Sequence, residues 1–208
     1  MIIDSYATGV VRGRFSLGGL VGDNSSGSAI SDCYATGPVT GTAAGVGGLV
    51  GNNIAMITDS YAAGAVSGDS SLGGLVGKFN GDTISNCYAV GRVAGFVSDG
   101  GGLVGENIAG TISNSFWDTQ TSGQASSGGG MGKTTAQMKQ QATFTGWDFI
   151  EPWGIFENQT YSLLKTLRLC IQDGTGHPPG DINGDCLYDM LDLAILIQFW
   201  LADKNWRT

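Results

Sequence analysis

ISDCYATGPV at residues 30–39 returns as ITDSYAAGAV at 57–66 and as ISNCYAVGRV at 84–93. A related stretch, IDSYATGVV, occupies 3–11, and ISNSFWDTQ starts the same way at 112 before diverging. The initiating isoleucines Ile3, Ile30, Ile57, Ile84 and Ile112 stand 27, 27, 27 and 28 residues apart, with the first copy read as one residue short. Between them a second stretch, GGLVG, recurs at 18–22, 47–51, 73–77 and 101–105. A fixed period of this length marks a repeat architecture, in which each unit buries its apolar face against its neighbours.

The recurring stretches are short, rich in Val, Ile, Leu, Tyr and Thr, and punctuated by Gly, Asn, Asp and Ser. That pattern predicts strands and tight turns, roughly two or three strands of about 4–6 residues in each unit. No helical spacing occurs before residue 130. So small a unit cannot bury a face alone, and stacking units about 4.8 Å apart solves the problem. The predicted fold is mainly β, a parallel β-solenoid (β-helix) of about five 27-residue coils with a small C-terminal loop-helix module. A β-propeller is the competing architecture, but its blades need about 40 residues each.

Composition narrows the function. Gly is 36 of 208 residues with only 4 Pro, which is not collagen, and 41% hydrophobic residues argue against disorder. The net charge is −8 and the ten Lys and Arg are scattered, so nucleic acid and acidic membrane surfaces are poor partners. No apolar stretch is long enough for a membrane span. The N-terminal MIIDSYATGVV lacks the basic segment and long apolar core of a secretory signal and begins flush with a repeat. It reads as a fragment of a longer polypeptide or a late gene start.

The unit I-x-[DN]-[SC]-Y-A-x-G-x-V…GGLVG-x-N resembles the GLUG repeat of bacterial surface proteins, over residues 1–117. The resemblance implies a non-enzymatic part of a large secreted or cell-surface protein, adhesins and surface proteases among them. An extracellular or cell-surface location follows from the resemblance, not from the N-terminus.

In a stacked solenoid, equivalent positions form columns along the axis. Ser5, Cys33, Ser60, Cys87 and Ser115 make a column of small residues, followed two positions on by Ala7, Ala35, Ala62 and Ala89. Both columns are expected to face inward. Cys33 and Cys87 then lie two coils apart, about 9–10 Å, too far for a disulfide, and read as free core thiols. Tyr6, Tyr34, Tyr61, Tyr88 and Phe116 alternate with the small residues and face the other way. The plain reading is an aromatic ladder that stiffens one face. The sharper one is a glycan-binding strip formed by Tyr6, Tyr34, Tyr61 and Tyr88. Asp4, Asp32, Asp59, Asn86 and Asn114 are expected to cap turns. Stacked carboxylates could serve as a glycosidase pair, but nothing supplies the two distinct environments that such a pair needs. No catalytic residue is assigned, and the expectation is a protein without enzymatic activity. The GGLVG glycines are expected to allow positive φ and close coil approach at a corner. They precede no helical pattern, so a dinucleotide loop is excluded.

Residues 118–167 form a predicted end cap, because a solenoid end otherwise exposes unpaired strand edges and an open core. Within it, 118–132 reads as linker-like. SGGGMGKT at 127–134 imitates a Walker A loop, but Ser127 stands where its first glycine belongs. A short helix is expected from Thr134 over TTAQMKQQA, with Gln137 as capping-box partner. GWDFI at 146–150, PWGIF at 152–156 and TYSLLK at 160–165 read as short strands around Trp147 and Trp153. The same type of tail often follows repeats of the GLUG family.

After a linker at 168–180, residues 181–203 carry the sharpest chemical signal, DINGDCLYDMLD at 181–192. Read as a twelve-residue Ca²⁺ loop, it places Asp181, Asn183, Asp185, the Leu187 carbonyl, Asp189 and Asp192 as oxygen donors. The helix that follows carries an apolar stripe of Leu193, Leu196, Ile197, Trp200 and Leu201. The plainer alternative is a polar turn ahead of a helix. The segment resembles one repeat of a type I dockerin, which implies Ca²⁺ and a cohesin-like partner. Dockerins use two such repeats and one is visible; Cys186 also replaces the usual glycine in the loop. A Cys170–Cys186 disulfide is left open. His177, the one histidine, sits in a Gly/Pro linker and reads as a bystander.

The sequence points to a non-catalytic exported repeat protein, an adhesin, spacer or binding surface, with a calcium-binding segment for attachment. The second reading is a cellulosome-like accessory protein that binds or processes polysaccharide through the solenoid.

Overall fold

The computed structural model describes residues 1–95 and 100–165, and Met1–Leu164 form one compact unit. Its strands form parallel sheets running along the axis, with one strand from each coil. The first sheet stacks Ile2–Ile3, Ala29–Ser31, Met56–Thr58, Thr83–Ser85 and Thr111–Ser113. The second carries the tyrosines: Tyr6–Ala7, Tyr34–Ala35, Tyr61–Ala62, Tyr88–Ala89 and Phe116–Asp118, with Met131–Lys133 as its last rung. Three further four-stranded sheets begin at Val11–Gly13, Leu17–Gly18 and Val21–Asn24.

The protein is a parallel β-solenoid of about four turns, with a fifth begun at Thr111–Ser113 and Phe116–Asp118. Each full coil has five strands of two to four residues, not two or three longer ones. The excess of Gly, Asn, Asp and Ser bends the chain before any strand can lengthen. The register also corrects the repeat alignment. Ile2 pairs with Ile30 and Ile3 with Ser31, so the first copy reads Ile-Ile-Asp against Ile-Ser-Asp and lacks nothing.

Two apolar cores run inside the coils. The larger holds Ile30, Ile57 and Ile84 with Leu49, Leu75 and Leu103, all fully buried. The smaller stacks Val39, Val66 and Val93 against Val46 and Leu72. The expected inward columns are there as well: Cys33 and Cys87, Ser60 and Ser115, and Ala35, Ala62 and Ala89 are all buried.

The left-handed corners fall on residues other than the GGLVG glycines. Asp4, Asp32, Asp59, Asn86 and Asn114 have φ of 49°, 54°, 45°, 53° and 44°, placing one such turn between the first two strands of every coil. Asp and Asn tolerate this conformation better than other side chains that carry a Cβ. The GGLVG glycines have no positive φ, so that part of the expectation fails. Their reason is contact alone. A methyl group on Gly19, Gly48 or Gly74 would lie 2.3, 2.1 or 2.2 Å from the next coil's glycine carbonyl.

Residues 118–132 are not a linker. After α1 (Thr119–Ser122), the chain retraces the solenoid as a contracted coil. Gly102 N–H donates to Ser126 O, Gly128 N–H to Val104 O, and Met131–Lys133 pairs in register with Phe116–Asp118. The Gly/Ser composition that suggested a linker instead lets this segment lie flat on the last full coil. At the alanine position of the Phe116–Asp118 rung stands Trp117, 7% exposed, which packs across the core end against Gly102.

The cap continues with α2 (Thr135–Met138), where Thr134 and Gln137 form the predicted capping box. Trp153–Gly154 pairs antiparallel with Leu163–Leu164. GWDFI at 146–150 forms turns and no strand, because Gly146 has φ of 87° and Asp148 accepts hydrogen bonds from the Ile150 and Glu151 amides.

Candidate functional site

The tyrosine column is the most repetitive aromatic feature of the chain. Parallel in-register pairing places each Tyr directly over its copy. Ring centroids are 5.2 Å apart for Tyr6–Tyr34, 5.0 Å for Tyr34–Tyr61 and 4.9 Å for Tyr61–Tyr88. The planes lie within 8° of parallel. The rings therefore cover one another's faces along the axis and turn their edges outward.

This stack changes what the glycan strip of Tyr6, Tyr34, Tyr61 and Tyr88 can offer. A pyranose needs a free ring face, and between neighbours those faces are already occupied. Exposure also falls along the column, from 64% at Tyr6 to 8% at Tyr61 and 1% at Tyr88. The cap buries its lower half under Met138, Phe144, Trp147 and Trp153. Trp153 reaches both Tyr61 and Tyr88, with centroids 6.3 and 5.9 Å away. Burial, and then the neighbouring tyrosines, push the Tyr61 and Tyr88 hydroxyls well above the ordinary phenol range. Among the described residues of the column, Tyr6 and Tyr34 keep access to solvent, and Tyr6 has an open face.

Polar groups fasten the cap to the solenoid. Trp153 Nε1 donates to Asp59 Oδ1 at 3.1 Å and Trp147 Nε1 to the Asn114 carbonyl at 2.8 Å. Tyr88 donates its hydroxyl to the Ser162 carbonyl. Asp118 is the hub, and sequence reasoning missed it. Fully buried, its Oδ1 accepts the Gln120 and Thr121 amides as the N-cap of α1. Its Oδ2 accepts the Thr135 hydroxyl at 2.7 Å and the Tyr161 hydroxyl at 2.8 Å. Burial first, and then this carboxylate, push the Tyr161 phenol up to about 12. The signal was present: an Asp ahead of Thr-Gln-Thr-Ser is a readable N-cap. The linker reading of 118–132 concealed it.

In the Asx column, Asp59 Oδ1 also accepts from Asn86 Nδ2 at 3.2 Å. Asp32 has its carboxyl raised above the usual range by burial, offset in part by a hydrogen bond from Ser31, with Asp59 and Asp4 adding repulsion. These groups serve corners and cap contacts. Among the described residues no group of three or more His, Cys, Asp or Glu side chains is arranged to hold a metal ion. Cys33 and Cys87 are free and buried, as predicted. Burial pushes both thiols up, which keeps them protonated and unreactive.

A further column went unread in the sequence. Asn24 Nδ2 donates to Asn53 Oδ1 at 2.7 Å, and Asn53 Nδ2 to the Ala55 carbonyl at 2.8 Å. The next coil places Phe79 in register, fully buried, where an amide would stand. Asn107 follows, and its buried Oδ1 has no partner among the described residues, because Phe79 has no donor to offer.

The calcium-loop donors Asp181, Asn183, Asp185, Leu187, Asp189 and Asp192, the 168–180 linker and the helix to 203 lie outside the described residues. So do Cys170, Cys186 and His177.

With the coils and their columns in place, comparison with known families gives one result. Residues 13–40 match the family model of the GLUG motif. The match runs from Gly13 in the first coil to Thr40 in the second and so covers one period, from the GGLVG glycines through the Asx corner and Tyr34. It supports the chain as a GLUG-repeat protein. No curated protein and no solved structure matches the chain.

Proposed function

We propose that this GLUG-repeat chain is a non-catalytic part of an exported or cell-surface protein, with the solenoid acting as an adhesin, spacer or binding surface. The observation that carries this reading is that the repeated side chains are engaged with their own copies. Tyrosines stack on tyrosines, Asn24 bonds Asn53, and Asn86 bonds Asp59. Residues that recur to hold one another serve the length and stiffness of the solenoid. Residues 181–192 bind Ca²⁺ in this proposal, and the apolar segment after them attaches the chain to a cohesin-like domain or another protein. That part rests on the spacing of Asp181, Asn183, Asp185, Asp189 and Asp192. Calcium titration of the full chain tests it: the metal should raise thermal stability in the wild type and not in Asp181→Ala. Equal responses would sink the calcium loop.

The second reading, polysaccharide binding through the solenoid, keeps one specific support, the accessible Tyr6 and Tyr34. A pull-down on insoluble glycans with the wild type and a Tyr6→Ala/Tyr34→Ala variant decides it. Retention of both proteins alike, or of neither, rejects a tyrosine-borne glycan site.

A further inference from the structure

The first coil ends in an edge with the properties of an internal one. The amides of Tyr34, Tyr61, Tyr88 and Phe116 each donate to the coil ahead, to the carbonyls of Ser5, Cys33, Ser60 and Cys87, at 2.9–3.2 Å. The next donor in that series is the Tyr6 amide, and no described coil lies ahead of it. Leu20 and Val21 are half-buried where Leu49 and Val50 are fully buried. Tyr6, Val10 and Phe15 are exposed.

An open edge by itself does not name an occupant. Gly9 does. It belongs to a column in which a glycine is needed because of the coil ahead. A methyl group on Gly37 would lie 1.9 Å from the Gly9 carbonyl, one on Gly64 2.0 Å from that of Gly37, and one on Gly91 1.9 Å from that of Gly64. No side chain fits at such distances, so each coil in the series carries glycine there to admit its predecessor. A methyl group on Gly9 would meet nothing within 4 Å, and its φ is not in the left-handed region. Within the described residues this position has no need to be glycine. The need appears only when another coil lies in front of it.

We propose that the outer edge of the first coil is a docking surface for a further coil of the same repeat, stacked in parallel and in register ahead of Ile2. That coil would accept the Tyr6 amide, cover the open face of the Tyr6 ring and bring a carbonyl against Gly9. A second copy of this molecule cannot supply that parallel coil, because the edge it would offer is already covered at the tyrosine sheet. Its trailing side is closed by Met131–Lys133 on Phe116–Asp118 and by Ser126, Ser127 and Gly128 on residues 102–104. The proposal concerns assembly and does not depend on the function proposed above.

The test adds a copy of residues 1–28, the first coil, ahead of Met1 in the full chain. The added coil is expected to raise the thermal midpoint by about 5 °C and to become protease-resistant. Gly9→Ala should move the midpoint of the parent chain by less than about 1 °C but cancel most of the gain in the extended chain. Gly37→Ala in the parent serves as the reference for a blocked coil contact and should lower its midpoint. An added coil that stays protease-sensitive without raising the midpoint would overturn the proposal. So would a Gly9→Ala effect of equal size in both chains. Sedimentation of the parent as a dimer that Tyr6→Ala dissociates would also overturn it, by making the second copy the occupant.

Discussion

Tyr6 and Tyr88 occupy the same place in the same repeat, on strands of one sheet, yet one is 64% exposed and the other 1%. Both lie in the same ring stack, four tyrosines long. The difference comes entirely from what lies against them. Tyr88 sits in a second aromatic core, touching Phe144, Trp147, Trp153 and Tyr161. Tyr6 has Tyr34 on one side. A repeat thus gives every copy the same local geometry while its two ends acquire different energetics. One end is closed by a contracted coil and a fused cap, and the other retains the chemistry of a coil interface.

The contrast is broken most directly by truncating each tyrosine in turn. Tyr88→Ala removes a buried ring and its hydrogen bond to Ser162 and should cost about 4 kcal/mol in denaturant unfolding. Tyr6→Ala, losing one stacked contact at an exposed edge, should cost less than about 1 kcal/mol. Equal losses would mean that the ladder, and not the cap, sets the stability of the column. Asp118→Ala tests the fastening of the closed end. It takes the acceptor from two amides and two hydroxyls in part-buried hydrogen bonds and should cost about 2 kcal/mol, with earlier proteolysis of residues 134–165 as the accompanying sign. If cleavage there is unchanged, Asp118 is not what holds the cap.

Gly48→Ala moves the comparison to the middle of the solenoid. Its methyl group would sit 2.1 Å from the Gly74 carbonyl, forcing two coils apart, for a loss of about 2 kcal/mol. A neutral result would show that the coils can part without penalty. The smallest effect concerns the acidic corners. Asp32 has its pKa raised above the unfolded value of 3.8, so its ionised form weakens the fold. The stability gained on protonation is fully present below pH 3.8 and is lost as pH rises through the raised folded-state value. Asp32→Asn, which copies the residue used at Asn86 and Asn114, should therefore stabilise the protein at neutral pH by a few tenths of a kcal/mol, roughly, since the group is largely solvated. The gain should disappear in acid. A gain that persists at pH 3 would locate the effect in backbone preference for the left-handed turn instead of charge.

Much of the solenoid was legible because stacking converts a linear period into a spatial column. The period alone specified parallel coils, inward Ser/Cys and Ala positions, outward tyrosines and thiols too far apart to bond. Strand number was misjudged, since a window containing both turn residues and β-formers does not reveal how many corners it makes. The left-handed corner was attributed to glycine when Asp and Asn supply it, because both residue types tolerate that region and only backbone geometry separates them. Residues 118–133 were least legible. Gly, Ser and Gln in irregular order carry no period, yet they hydrogen-bond to a coil whose edge was waiting for partners.

By itself, then, the sequence determined the local geometry of each coil and the register between coils, since both follow from side-chain alternation and from where a Cβ can fit. Only the tertiary structure decided which members of a column are buried, which carboxylate is enclosed and which edge remains open. Those properties depend on residues far apart in the chain, such as Asp59 with Trp153 and Asp118 with Tyr161, that no repeat unit contains.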